Sequence, residues 1–185
     1  MRTIARILLS SLLLITQGSC ATLQPGLTVS DLAVTGTIDG ENVTFNLSFT
    51  ADVAQRDTPL VLVEGDVACL TDQLPPGARL SRSGKQLILT FHGRGRQNVS
   101  LNFASLPMRD GDWRRTRFSI PSATTRRLTM LCDRDDLEVN FPGALKVERQ
   151  KNKEGKTEVT AYLGVASHFE VGWKPQVQQL SGELV

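Results

Sequence analysis

Aromatic side chains, histidine and cysteine are all scarce in this chain. Its 185 residues include one Tyr, two Trp, two His and three Cys. The shortage of Tyr and Trp argues against carbohydrate platforms and against the stacking surfaces that bind single-stranded nucleic acid, so we expect no nucleic-acid partner. Apolar residues make up 40% and charged residues 22% of the chain. These values are typical of a globular domain and exclude a disordered tail or a membrane bundle.

Motifs for known chemistry are also missing from the sequence. Neither His92 nor His168 has a partner at the spacing of a metal site or a nucleophile motif. Two acidic loops, Asp110–Asp112 and Asp133–Asp136, are better explained by turn chemistry than by calcium, which needs six to eight oxygen ligands. We therefore expect no enzyme, no cofactor and no metal site. A dispersed active site would need a deep polar pocket that contains one of the two histidines.

The N-terminus has the pattern of a secretory signal. Arg2 and Arg6 precede an apolar stretch at 7–15, and the small residues Ser19 and Ala21 occupy the −3 and −1 positions of a cleavage site. This stretch is far shorter than the roughly 20 residues that span a bilayer. The pattern predicts that residues 1–21 are removed, and that the mature chain lies in the periplasm or on the cell surface without a transmembrane segment.

Cys20 allows a second interpretation, because a small residue before a cysteine resembles a bacterial lipoprotein site. Such sites normally carry Leu, Val or Ile three residues before the cysteine, and here that residue is Gln17. The sequence therefore favours cleavage after Ala21 over lipidation at Cys20.

Replacing Cys20 with serine should leave processing of the precursor unchanged. The expected mature N-terminus is Thr22 in both the wild type and the Cys20→Ser variant, because peptidase recognition depends on the small residues Ser19 and Ala21. Mass spectrometry of the secreted protein measures this directly. Accumulation of the precursor in the variant, or in cells treated with globomycin, would instead establish lipidation.

Two cysteines, Cys69 and Cys132, remain in the mature body. In an oxidising compartment they can form a disulfide, which would stabilise the fold by roughly 4 kcal/mol on the chain-entropy model. Both lie in apolar strand patterns, so two separate buried thiols fit the sequence equally well.

The body, residues 22–176, alternates between apolar and polar residues, as half-buried antiparallel strands do. The clearest strand runs from Val43 to Ala51, and the Asp39-Gly40 pair before it predicts a tight hairpin turn. A second hairpin is predicted over 144–163. No stretch has helical periodicity. We predict an all-β antiparallel sandwich of about 10–12 strands, either as one body or as two packed β units that divide near 111–121.

The last residues, 177–185, end on apolar side chains at Leu184 and Val185. Two interpretations are open: a docked final strand, or the N-terminal part of a longer chain, since free termini are more often polar and frayed.

Charge is divided unevenly along the chain. Residues 22–78 hold eight acidic residues and one basic residue, whereas 79–127 hold eleven basic and two acidic. The basic segment either pairs internally with the acidic one, binds anionic envelope material such as lipid headgroups or polyanionic glycans, or binds an acidic protein. The arginines chosen as candidates for anion contact are Arg94, Arg96, Arg114, Arg115 and Arg117.

The segment from about 115 to 175 resembles a known group of proteins. The motifs that carry the resemblance are Phe118-Ser-Ile-Pro121, Arg127-Leu-Thr-Met-Leu131, Pro142-Gly-Ala144, Thr157–Gly164 and Val171-Gly-Trp173. They are similar to the N-terminal β-sandwich segments of large exported proteins from planctomycete-type bacteria. The resemblance implies a bacterial cell-envelope context and a longer parent protein, and no site residue is carried over from it. We expect a non-catalytic envelope module with a structural or interaction role; the alternative is a binding domain for an anionic ligand.

Overall fold

A computed structural model describes residues 26–123, 126–164 and 168–175. The predicted signal sequence at 1–21, which includes Cys20, and the segment 177–185 lie outside the described residues. The described residues contain fourteen strands and no helix, so none that could cross a bilayer. The strands are β1 (Leu27–Asp39), β2 (Asn42–Val53), β3 (Thr58–Gly65), β4 (Val67–Gln73), β5 (Ala78–Ser83), β6 (Gln86–Phe91), β7 (Gly95–Ser105), β8 (Met108–Asp110), β9 (Trp113–Ser119), β10 (Arg126–Cys132), β11 (Leu137–Asn140), β12 (Ala144–Lys151), β13 (Thr157–Leu163) and β14 (His168–Pro175).

The strands form two sheets that pack as a β-sandwich, which confirms the predicted fold class. Sheet A has the order β12-β13-β10-β1-β2-β7-β4, and sheet B has the order β11-β14-β9-β3-β6-β5, with β8 paired to β9. Two details of the prediction are wrong. The strand count exceeds 10–12, partly because the short, fully exposed β8 has no apolar alternation to reveal it. The sheets are also not purely antiparallel, since β1 and β10 pair in parallel.

The strand order favours one body over two β units that divide near 111–121. Strands from both sides of that segment lie in each sheet: β10 pairs with β1 in sheet A, and in sheet B β3 and β14 both pair with β9. One continuous hydrophobic core joins the two sheets. The boundary residues Pro121 and Gly111 mark turns between strands, and the long-range pairing that crosses them has no local sequence signature.

The first hairpin forms as predicted. β1 and β2 pair antiparallel across a turn at Gly40, whose φ of 59° favours glycine. The alternating apolar residues of β2 are all buried between the sheets: Val43, Phe45, Leu47, Phe49 and Ala51. Burial of this face fixes the strand register, because a shift by one residue would turn every apolar side chain towards solvent.

Four phenylalanine rings link the two sheets at the centre of the core. Phe45 and Phe103 of sheet A stack with their ring centroids 5.3 Å apart. Phe118 of sheet B meets both edge-on, at 4.9 and 5.1 Å, and lies 4.7 Å from Phe169. These separations suit favourable aromatic pairs. The cluster holds the sheets face to face and so positions the residues at the ends of the sandwich.

Candidate functional site

A cavity of about 250 Å³ opens at the end of the sandwich where the β1–β2 turn lies; we call it the end cavity. It is formed where that turn and the segment after β10 meet the start of β9 and the end of β14. The lining residues are Ile38, Gly40, Glu41, Arg114, Asp133, Arg134, Leu137, Trp173 and Pro175. The cavity is therefore built from both sheets and depends on their packing.

The floor of the end cavity is apolar. Ile38 and Trp173 are each 1% exposed, and Leu137 is 5% exposed. Ile38 is the last inward residue of β1 before the turn, and Trp173 is the last inward residue of β14. Both continue the alternation of their strands, so the floor is an extension of the hydrophobic core.

Arg114 points inward at the rim of this floor. It lies directly opposite Trp173 in the β9–β14 pair, and directly opposed residues project from the same face of a sheet. Thr116 and Phe118, at the next two alternate positions of β9, are both buried. The alternation of the strand therefore turns the Arg114 guanidinium towards the core side.

Arg114 is neutralised by an acidic residue of the opposite sheet. Its guanidinium forms an ion pair with the Glu41 carboxylate in the β1–β2 turn. The two partners differ greatly in exposure, at 21% for the Arg114 side chain and 79% for Glu41. The acidic partner therefore stands in solvent at the mouth of the cavity, while the basic one is held within it.

The indole N–H of Trp173 has no hydrogen-bond acceptor in the described part of the chain, although its nitrogen is fully buried. Buried donors are satisfied in the great majority of cases, and leaving one without an acceptor costs free energy. This donor belongs to the same cross-strand pair as Arg114. The two residues that carry these donor groups, Arg114 and Trp173, both line the end cavity.

Asp133 and Arg134 place one acidic and one basic side chain at the rim, and each forms an ion pair with another residue. Arg134 donates to Asp136, with its Nε 2.9 Å from Oδ1, and this contact lowers the pKa of the Asp136 carboxyl. Asp133 is 3.6 Å from the Lys156 ammonium, and its side chain is 44% exposed. The carboxylates of Asp133 and Asp136 are thus both paired with basic side chains.

The other two arginines of β9 face outward. Arg115 and Arg117 both bind Glu170 of β14: Arg115 Nη1 is 3.1 Å from Oε1, and Arg117 Nε is 3.0 Å from Oε2. Arg115 Nε is also 3.0 Å from a carboxylate oxygen of Asp110. The hydrogen bond from Arg117 is the main cause that lowers the pKa of the Glu170 carboxyl, and Arg115 adds to it. These two arginines serve an internal ion-pair network.

Arg94 and Arg96 lie at the opposite end of the sandwich from β9. Arg96 is the second residue of β7, and Ser105, which ends it, hydrogen-bonds to Thr116 of β9. Nine residue steps along an extended strand span roughly 30 Å. The five arginines that are candidates for anion contact therefore do not lie on one surface. Arg94 and Arg96 are close to β9 in sequence, but the length of β7 separates them from β9 in space. Of the five, only Arg114 lines the end cavity.

Of the two alternatives left open for Cys69 and Cys132, the structure has two free thiols. Both lie in sheet A, but β4 and β10 are four strand steps apart in the sheet order, or roughly 19 Å at the usual spacing. A disulfide needs Cα atoms within about 7 Å. Cys132 is buried, and burial raises the pKa of its thiol. Cys69 is exposed on the edge strand β4, so only one of the two matches the interpretation as buried thiols.

Neither histidine lines the end cavity. His92 Nδ1 is 2.6 Å from Asp57 Oδ1, and His168 Nδ1 is 3.3 Å from Ser119 Oγ, in both cases on exposed surface. Within the described ranges, no three His, Cys, Asp or Glu side chains are grouped so that they could hold a metal ion.

Sequence reasoning missed Trp173, Glu41 and the apolar floor as parts of one site. Two signals could have pointed there: Trp173 is one of only two tryptophans, and Glu41 follows the Asp39-Gly40 turn. Neither signal shows that β14 and the β1–β2 turn meet, since they lie on different sheets and far apart in sequence.

No characterised protein family and no curated protein matches the chain. Its fold, however, is similar to part of several solved structures. A two-domain M1 zinc metallopeptidase bound to L-tryptophan superposes with a TM-score of 0.56 at 11% identity, covering 82% of this chain and 43% of that one. The M1 zinc metallopeptidase of Deinococcus radiodurans, bound to a Tyr-Ser-Ala substrate, gives 0.55 at 12% identity with the same coverage.

Aminopeptidase A of Legionella pneumophila, in complex with aspartic acid, gives a TM-score of 0.55 at 14% identity, covering 80% of this chain and 21% of that one. This chain thus spans less than half the length of each of these structures. At such identities the likeness concerns the fold alone: a β-sandwich that also occurs as one portion of larger proteins.

Proposed function

We propose that this chain is a non-catalytic β-sandwich module of an exported bacterial envelope protein, with the role of binding a neighbouring protein domain. The observation that carries this proposal is an uncovered apolar surface on β12. Leu145 is 79% exposed and Val147 is 48% exposed. We call these two side chains the β12 shelf.

Val147 of the β12 shelf lies on the core side of its sheet. Val147 is directly opposite Ala161 of β13, which in turn is opposite Leu128 of β10; both of those residues are fully buried. Opposed residues share a face, so Val147 belongs to the same inward row. It is exposed because sheet B does not extend over this part of sheet A.

The strand of sheet B nearest to β12 is β11, and it is too short to cover the β12 shelf. β11 has four residues, and Arg149 of β12 donates to its first residue, with Arg149 Nη2 3.2 Å from the carbonyl oxygen of Leu137. This contact lies towards the end of β12, whereas Leu145 and Val147 lie nearer its start. Within the described residues β12 pairs only with β13, so its outer main-chain groups can accept another strand.

A protein partner fits these features better than a small ligand does. A flat apolar shelf beside an unpaired strand edge favours addition of a strand or an apolar segment, with main-chain hydrogen bonds for affinity and side-chain contacts for specificity. The similar solved structures, in which a comparable sandwich makes up less than half of the chain, support a role as one module among others.

The alternative function, an anionic-ligand domain, loses the broad arginine face on which it rested. Arg115 and Arg117 are committed to Glu170, and Arg94 and Arg96 lie far from them. Only the inward-facing Arg114 favours this alternative, and it would serve a small ligand rather than a polymer.

A photo-crosslinking amino acid placed at position 147 should form one discrete protein adduct in native cells, because the β12 shelf is the surface that we expect the partner to cover. The same amino acid at position 153, on the exposed tip of the same hairpin, is the matched control. The adduct at position 147 should disappear when Leu145 is replaced by lysine, since a charge on the shelf opposes its burial. Immunoblotting followed by mass spectrometry measures both results.

Two outcomes would contradict the proposal. One is the absence of any adduct at position 147 above the level at position 153. The other is an adduct that persists unchanged in the Leu145→Lys background, because the contact would then not involve the shelf.

A further inference from the structure

The end cavity combines features that match one class of small ligand. Its floor is apolar, Arg114 points into it, and the buried indole N–H of Trp173 lacks an acceptor in the described part of the chain. We propose that the end cavity binds a small carboxylate with an apolar body, about the size of a free amino acid, and that Arg114 and Trp173 hold the carboxylate. This inference does not rest on the β12 shelf.

The position of the two donors supports recognition of a single carboxylate. Arg114 and Trp173 are direct cross-strand partners, so their Cβ atoms are about 5 Å apart and their side chains leave the same face of the sheet. A carboxylate has two oxygens and can accept from a guanidinium and an indole N–H together. Charge-assisted hydrogen bonds of this kind are among the strong ones.

Glu41 occupies the position in which we expect the ligand's carboxylate. Its side chain is 79% exposed and pairs with the Arg114 guanidinium from the mouth of the end cavity. An exposed ion pair contributes little stability, and Glu41 lies in a short turn, so moving its carboxylate into solvent costs little. A ligand that brings its own carboxylate can therefore take the place of Glu41 without leaving Arg114 unpaired.

The volume and the other lining residues of the end cavity indicate what the ligand carries besides its carboxylate. Its volume of about 250 Å³ is below the range of about 300–1,000 Å³ typical of sites for drug-sized molecules, which excludes a polymer from the interior. Ile38 and Leu137 present an apolar surface to the ligand body. Asp133 at the rim, with a side chain 44% exposed, is placed to attract an ammonium group on a ligand that carries one.

Three matched probes test the proposal on the full chain: 4-methylpentanoate, L-leucine and L-leucinamide. The protein has two tryptophans, so its two indole N–H resonances can be followed by NMR and assigned with a Trp113→Phe variant. Both carboxylates should shift the Trp173 resonance, because its N–H gains an acceptor, whereas L-leucinamide should not. If L-leucine binds more tightly than 4-methylpentanoate, the ligand's ammonium group also contributes to binding at the rim.

Two substitutions should change affinity in opposite directions. Arg114→Gln should weaken binding of 4-methylpentanoate at least about tenfold, since it removes a charged hydrogen bond. Glu41→Gln should tighten binding, because it removes the competing carboxylate. Arg117→Gln, on the outward face of the same strand, is the matched control and should leave affinity unchanged.

The Glu41→Gln variant tests the proposal even if the Arg114→Gln variant does not fold, because Glu41 lies in an exposed turn where substitution does not disturb the core. The proposal is overturned if no carboxylate moves the Trp173 resonance at millimolar concentration. It is also overturned if the amide binds as tightly as the carboxylates, or if Glu41→Gln leaves affinity unchanged. Failure here leaves the crosslinking test of the β12 shelf unaffected, so the two proposals can be judged separately.

Discussion

Replacing Phe118 with alanine should lower the free energy of unfolding by about 3 to 5 kcal/mol, the usual cost of truncating a buried phenylalanine. Phe118 is 2% exposed and contacts three other rings, two of which belong to the opposite sheet. The loss therefore combines reduced apolar burial, a cavity between the sheets, and the aromatic pairs themselves. Urea denaturation followed by circular dichroism measures it.

A conservative variant separates these contributions. Phe118→Leu keeps most of the buried apolar volume but removes the ring geometry, so it should cost clearly less than the alanine variant. A double-mutant cycle with Phe45→Ala should give a coupling energy of about 0.5 to 3 kcal/mol, because the two rings are in contact. A Phe118→Ala variant that loses less than about 1 kcal/mol would contradict the role assigned to this cluster.

Replacing Gly36 with alanine should destabilise the fold by about 1 to 3 kcal/mol through overpacking. Gly36 lies in the middle of β1, opposite Phe45 on one side and Met130 on the other. A Cβ at this position would lie 2.7 Å from the Phe45 ring and closer still to the Met130 sulfur. Both neighbours are buried, so neither can move aside freely. Thermal unfolding of the variant measures the effect.

The contact at Gly36 also predicts a rescue. A Met130→Leu substitution removes the sulfur nearest the new methyl group, so the double variant should recover part of the stability lost in Gly36→Ala. Thr37→Ala is the control, because its side chain is on the other face of the same strand. Equal stability of Gly36→Ala and the wild type would show that the sheet can relax around the methyl group.

Both predictions involve Phe45 of β2, whose ring packs against Phe118 and lies opposite Gly36, where β1 pairs with β2 and β10. This pairing also positions the end cavity, since Ile38 and Glu41 follow Gly36 along the same hairpin and Asp133 follows β10. Strain at Gly36 should therefore be felt at the cavity rim as well as in the core. The Trp173 indole resonance offers a local measure of that effect in the Gly36→Ala variant.

The distribution of charge gains a physical explanation from the structure. The acidic first segment and the basic middle segment meet at specific pairs: Glu41 with Arg114, and Asp66 with Lys85 at 2.8 Å. Other arginines pair within the second half of the chain, as Arg117 does with Glu170. Internal pairing therefore accounts for part of the uneven charge along the chain.

Local patterns predicted most of the strands. The alternation of Val43 to Ala51 located β2, and the Asp39-Gly40 pair located its turn, because both signals depend on neighbouring residues only. The hairpin of β12 and β13 was also found in this way. β8 was missed, since three exposed residues carry no alternation.

The sequence by itself determined that this chain is all-β, with half-buried strands that alternate between core and solvent. Period-2 alternation can be read from neighbouring residues, because alternate side chains of a strand point to opposite faces and only one face is buried. Only the tertiary structure decided which strands are neighbours, because pairing such as that of β1 with β10 joins residues far apart in the chain. The same long-range pairing separated Cys69 from Cys132 and Arg96 from Arg117. It also brought Glu41, Arg114 and Trp173 together at one cavity.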